Sequence, residues 1–143
     1  MAEGRSSQIL SVVHLVHRAA QRADELFARI APGAGPRQFE VLKAVSQDDG
    51  CSQTAIMAIT GIERSTTAST VSRLVRSGLL RRRRTRKDAR TYAVRLTDKG
   101  REVLEEAEPL AKKVDEEFLA SLQPKERLEF VRHLEQLVLA GRN

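Results

Sequence analysis

From Leu79 to Arg101 the chain carries ten basic side chains against two acidic ones, Asp88 and Asp98, and no segment so charged belongs in a core. The same stretch places the short apolar runs Leu79-Leu80 and Tyr92, Val94, Leu96 on either side of Thr85 to Arg90. That alternation specifies a two-stranded hairpin with a basic tip, so the remaining residues must build a body that leaves this finger in solvent. The charge is strongly polarised as well. Arg64 to Arg101 holds thirteen basic and two acidic residues, +11, in a chain of net charge +6, which leaves −5 for the rest. Clustered Lys and Arg gain free energy by displacing the counterions condensed on a polyanion, so one half of the molecule is suited to nucleic acid.

Around the hairpin the periodicity is helical. Ile9, Val13, Val16, Ala20, Ala23, Phe27 and Ile30 recur at steps of three and four, giving a long amphipathic helix that stops before Pro32-Gly33. Pro36 suits a first helical position, and Phe39, Leu42 and Val45 continue a second helix to about Asp48-Asp49-Gly50. Ser52 caps a third, with Ala55, Ile56 and Ile59 facing inward and Gly61 as its break. Ala68, Val71, Leu74 and Val75 define a fourth, ended by a left-handed Gly78. Beyond the hairpin, Thr97 caps a long helical region from Val103 to Phe118 that Pro109 should bend or rearrange locally, and Pro124 opens a last helix striped by Leu128, Val131, Leu134, Leu137 and Val138.

Composition narrows the function. An apolar fraction of 41% over 143 residues supports one small domain with helical extensions. No apolar run approaches the roughly 20 residues a bilayer requires, and Met1 to Gln8 lacks the order of a signal peptide, so a cytoplasmic, membrane-free protein is expected. With Cys51 alone there is no internal disulfide. Five aromatic residues are too few for base-stacking platforms, which favours double-stranded DNA. No Gly-rich phosphate loop, nucleophile–base spacing or paired-acid motif points to an enzyme, and no cofactor is implied.

Helix, tight turn, helix and basic hairpin together make a winged helix–turn–helix, mainly α with a small β-hairpin wing. At Ile62–Leu80 and Arg84–Gly100 the sequence resembles the MarR family of bacterial transcription regulators, with Asp88-x-Arg90 and Leu96-Thr97-x-x-Gly100 as the specific part. The resemblance implies an obligate homodimer, with residues 1–31 and 102–143 as the helical dimerisation region and 32–101 as the DNA-binding lobe. It also implies a pseudo-palindromic operator and a small-molecule effector that releases a repressor from it.

Candidate contacts follow from chemistry and from that likeness. In the wing, Arg90 fits the narrow, negative minor groove, Asp88 can hold it extended, and Arg84, Arg86 and Lys87 supply further charge. On the recognition helix Arg64, Ser65, Thr66 and Ser69 lie early enough to meet bases, Thr67 and Thr70 add hydroxyls, and Arg73 with Arg76 suits phosphate. Arg37 and Gln38 at one helix start, and Ser52 and Gln53 at another, suit phosphate too. Family members often carry Ser near Glu63, a Thr-Arg pair near Ala68-Ser69 and Asp near Ser72, so a frequent base-contacting arginine is missing here. His14 and His17, one turn apart, and His133 are read as interface or effector-cavity residues rather than metal ligands. Cys51 is read as a small loop residue without redox duty, although a helix start could lower its pKa. Two other classes fit the same charge: an architectural DNA-binding protein of little sequence preference, and a winged helix that binds an acidic protein.

Overall fold

The computed structural model describes residues 10–85 and 91–141. Its elements run α1 Val12–Ile30, α2 Pro36–Gln47, α3 Gln53–Thr60, α4 Arg64–Arg76, β1 Leu80–Arg84, β2 Tyr92–Leu96, α5 Asp98–Phe118 and α6 Pro124–Leu139. Each boundary has a local cause. Ser11 Oγ accepts from the His14 N–H, Ser52 Oγ from Ala55 and Thr97 Oγ1 from Gly100, so three helices open on side-chain caps. Pro36 and Pro124 stand at first-turn positions, and Gln123 and Glu126 close a reciprocal capping box at the start of α6. Gly61 ends α3 at φ 72°. After α4 the N–H groups of Gly78 (φ 74°) and Leu79 return to the carbonyls of Val75 and Leu74, a double closure that turns the chain straight into β1.

The two strands pair antiparallel in the register Leu80↔Leu96, Arg82↔Val94 and Arg84↔Tyr92. Cys51 extends the sheet by one bridge: its carbonyl accepts from the Val94 N–H at 2.8 Å, while the Gly50 N–H donates to the Val94 carbonyl at 3.0 Å. The hairpin root is thereby tied to the α2–α3 connection. Leu80, Val94 and Leu96 then enter a core built on Val41, Leu42, Val45, Ile56, Val71 and Leu74, to which α5 adds Leu104, Ala107 and Val114 and the end of α1 adds Leu26 and Phe27. Phe27 and Phe39 meet with ring centroids 6.0 Å apart.

One expectation needs correction: Ile59 is exposed (46%), because α3 turns only Ile56 fully inward. Helix α5 runs continuously from Asp98 to Phe118 through Pro109, which lies on the exposed side of the helix, where its missing N–H leaves no buried carbonyl stranded. The apolar stripe of α1 is buried only at its C-terminal end, and Val13 and Val16 are exposed.

The Leu96-Thr97-x-x-Gly100 stretch has a steric reason. Thr97 Oγ1 donates to the Gly78 carbonyl at 2.6 Å, its N–H donates to the Leu79 carbonyl at 3.1 Å, and α5 starts so close to that turn that a Cβ on Gly100 would overlap the Leu79 carbonyl oxygen. Gly100→Ala must push apart two backbones that fix the wing. A loss of about 3 kcal/mol, read as a melting temperature roughly 10 °C lower, is expected. A shift under about 2 °C would mean the turn relaxes freely.

Candidate nucleic-acid interface

The recognition helix divides by period. Thr67, Thr70, Val71 and Leu74 are buried, whereas Ser65, Ser69, Arg73 and Arg76 are exposed on the opposite side and Arg64 is exposed at the helix start. Thr67, expected among the DNA contacts, therefore belongs to the interior, while Thr70, also expected there, is largely buried (8% exposed) at the wall of the groove between α1, α2 and α4. Thr67 is 0% exposed and donates to the Ile62 carbonyl; Thr70 donates to the Thr66 carbonyl at 2.7 Å. With its hydroxyl satisfied by a main-chain carbonyl, a buried threonine presents a methyl and packs much like valine. Ala68 and Val75, expected in the buried stripe, are only half-buried.

The hydroxyls left on the surface are also engaged. Ser65 Oγ and Thr66 Oγ1 donate to Glu63 Oε1 at 3.0 and 2.8 Å, and Ser69 Oγ donates to the Thr66 carbonyl at 3.1 Å. Glu63 is fully exposed. The bond from Thr66 first, then that from Ser65 and the nearby Arg37 charge, hold its carboxyl below the usual carboxylate range.

On the wing, strand alternation puts Arg82 and Arg84 on one side of β1, and the register sets Tyr92 beside both. Their guanidinium carbons lie 5.6 and 5.7 Å from the Tyr92 ring centroid, so one ring organises two cations. Arg82 Nη1 also reaches Ser72 Oγ on α4 at 3.5 Å. Not all of the basic run is available to a ligand. Arg95 is paired with Asp49 at 2.7 Å, against the Gly50 turn, and Arg101 with Asp98 at 3.1 Å. The half-exposed Arg95–Asp49 pair is worth about 0–1 kcal/mol and the solvent-exposed Arg101–Asp98 pair contributes little, but both engage a cation of the run. Arg86, Lys87, Asp88 and Arg90 lie outside the described residues.

Two grooves collect most of the remaining candidates, Ser65 and Arg84 lying outside both. A small one of about 190 Å³ joins Ser52, Gln53 and Met57 of the α3 start, Arg64 of α4, and Thr91 and Tyr92 of the wing. The other, about 500 Å³, lies where α1, α2 and α4 meet and is lined by Asp24, Arg37, Gln38, Thr66, Ser69 and Arg73. His14 and His17 are exposed on α1 and line neither groove; His133 borders an apolar channel between α1 and α6. Cys51 is buried, and burial followed by the Asp48 charge pushes its thiol up, opposite to what a reactive thiolate needs.

The MarR family profile matches residues 33–91, from just before α2 to the residue preceding β2. Over nearly the whole chain the fold is that of solved regulators. The PcaV transcriptional regulator of Streptomyces coelicolor, in complex with its natural ligand, superposes with a TM-score of 0.87 at 29% identity, covering 99% of this chain and 100% of that one. BpsR of Bordetella bronchiseptica, whose DNA binding is regulated by 6-hydroxynicotinic acid, is 30% identical with a TM-score of 0.81, over 88% of this chain and 97% of that one. The chain belongs to the MarR family. The transcriptional repressor CouR, solved on a 23-mer DNA duplex, is likewise 30% identical at a TM-score of 0.79, covering 89% and 92% of the two chains. As a MarR-family member the protein is a winged helix–turn–helix transcriptional regulator, and among its described residues no helix is long and apolar enough to cross a membrane.

Sequence reasoning did not single out the contacts that Tyr92 and Glu63 make at this surface. The first was signalled by the i, i+2 spacing of Arg82 and Arg84 opposite an aromatic strand residue, the second by an acid two and three residues before Ser65 and Thr66.

Proposed function

We propose that this protein is a homodimeric repressor that grips a pseudo-palindromic operator with two winged helices and is released by a small anionic effector. The observation that carries the DNA reading is the convergence of the α3 start, Arg64 and Tyr92 on one groove, which brings the start of α4 up to the wing. In that arrangement α4 enters the major groove, with Arg64, Ser65, Thr66 and Ser69 toward bases. Arg37, Ser52, Gln53, Arg73 and Arg84 lie toward phosphate. Arg86, Lys87 and Arg90, the last steadied by Asp88, complete the wing in the minor groove.

Dimerisation, through residues 1–31 and 102–143, rests on apolar surface that a single chain leaves uncovered. Helix α6 has no buried residue, and Leu128, Val131, Leu134, Leu137 and Val138 face solvent together with Val12, Val13, Leu15 and Val16 of α1. A second copy covers both stripes at once.

The α1–α2–α4 groove suits the effector, because it touches a dimerisation helix and the recognition helix together. Arg37 and Arg73 favour a carboxylate there, and Asp24 accepts from a hydroxyl, the chemistry of the hydroxy acid named for the Bordetella relative. Such a ligand takes the two guanidinium groups that otherwise face phosphate, and it must favour the state whose half-site spacing no longer fits one turn of duplex.

Fluorescence anisotropy with genomic fragments tests the core claim. The protein should prefer its operator by roughly 10³-fold or more over random duplex. Equal affinity for both would replace this reading with the architectural one. In the absence of DNA, 6-hydroxynicotinate is the first probe for the groove, and Arg37→Ala should weaken its binding about tenfold or more by calorimetry.

A further inference from the structure

The surface of α4 is unusual in the polarity of its hydrogen-bonding groups. Glu63 lies at the leading end of the helix, fully exposed, and through one oxygen it takes the protons of both Ser65 and Thr66. Ser69 and Thr70 spend theirs on the Thr66 carbonyl. With those protons turned inward, the first turns of the helix present carboxylate and hydroxyl lone pairs, an array of acceptors. The exposed donors of α4 are the guanidinium groups of Arg64 at its start and of Arg73 and Arg76 in its last turn.

An acceptor array discriminates among base edges. In the major groove guanine offers N7 and O6 and thymine offers O4, all acceptors that a carboxylate repels. Only the exocyclic amines of cytosine and adenine donate, and adenine sets its N7 acceptor next to the amine, where a carboxylate cannot satisfy it. Phosphate is excluded as a partner for the same reason as guanine. We infer that Glu63 is a specificity-determining residue, which selects cytosine at one position of each operator half-site by accepting from its N4 amine while orienting Ser65 and Thr66 as further acceptors. This rests on the reading of α4 as the helix that enters the major groove.

Selection from a random duplex library with the full-length protein, alongside Glu63→Gln and Glu63→Ser, tests it. The wild-type protein should require cytosine at one symmetric position, disfavouring other bases there by roughly 5- to 150-fold. Glutamine pairs both with the amine and with N7 of adenine, so Glu63→Gln should move the preference at that position to adenine. Glu63→Ser should flatten it. All other positions should keep their preferences, and the melting temperature should hold because the side chain is exposed. If both variants select the wild-type sequence and differ only by a uniform gain in affinity for any duplex, Glu63 acts as a bare charge and the inference is overturned. It is equally overturned if the responding position holds a base other than cytosine in the wild-type selection. A wild-type protein that selects no sequence at all is a different failure, that of the operator-binding reading beneath it.

Discussion

Replacing Leu134 and Leu137 together with glutamate is expected to leave the protein monomeric at micromolar concentration and to lower operator affinity by about 10²- to 10⁴-fold. The argument starts from what α6 lacks. None of its residues is buried, and Leu134 and Leu137 are 40% and 67% exposed, so within one chain the substitutions remove little packing. Those leucines nevertheless line a channel of about 470 Å³ with Leu15 and Val16 of α1 and with Phe118 and Phe130. If a second copy fills that channel, each dimer would have to bury four carboxylates in an apolar seam, which costs several kcal/mol per ion. The DNA penalty follows from valency: once the halves separate, the second half-site contact is no longer intramolecular, and the gain from millimolar effective concentration disappears. Sedimentation velocity reads the mass and anisotropy the affinity. A double variant that stays dimeric and binds its operator as before would overturn the assignment of this surface as the interface.

How far the sequence alone reaches depends on the range of the interaction concerned. Ser52, Gly61, Gly78, Thr97 and Pro124 mark their boundaries correctly because a cap, a left-handed turn or a missing N–H is decided within a few residues. The hairpin was legible for a similar reason, since strand alternation is local and the arginines had nowhere else to go. What was hidden depends on partners distant in the chain or on residues with two characters. Thr67 and Thr70 read as polar surface, yet each is buried while a main-chain carbonyl accepts from its hydroxyl. Arg95 reads as part of the DNA-facing charge until Asp49, 46 residues earlier, pairs with it. The N-terminal half of α1 carries a proper apolar stripe, but among the described residues of a single chain nothing covers it. Periodicity says which side of a helix is apolar, not whether its partner is in the same molecule.

Tyr92→Ala separates two functions of the wing that charge alone confounds. The ring holds the guanidinium groups of Arg82 and Arg84 at 5.6 and 5.7 Å, on the side of the hairpin that reaches α4 through Arg82 and Ser72. An exposed cation–π contact is worth about 0.5–1 kcal/mol, so loss of both should weaken operator binding roughly 5- to 30-fold by releasing two cations from their set directions. Their charge stays on the protein, however. The dependence of log affinity on log salt should therefore keep its wild-type slope in Tyr92→Ala, whereas Arg82→Ala or Arg84→Ala should each reduce that slope by about 0.9 if the residue neutralises one phosphate. Tyr92→Phe retains the ring and should bind almost as the wild type does. A Tyr92→Ala variant that loses affinity with a slope change of about two would mean that the arginines no longer reach the duplex at all. One with unchanged affinity would mean that strand pairing, with Arg84 opposite Tyr92 and Arg82 opposite Val94, suffices to aim them without the ring.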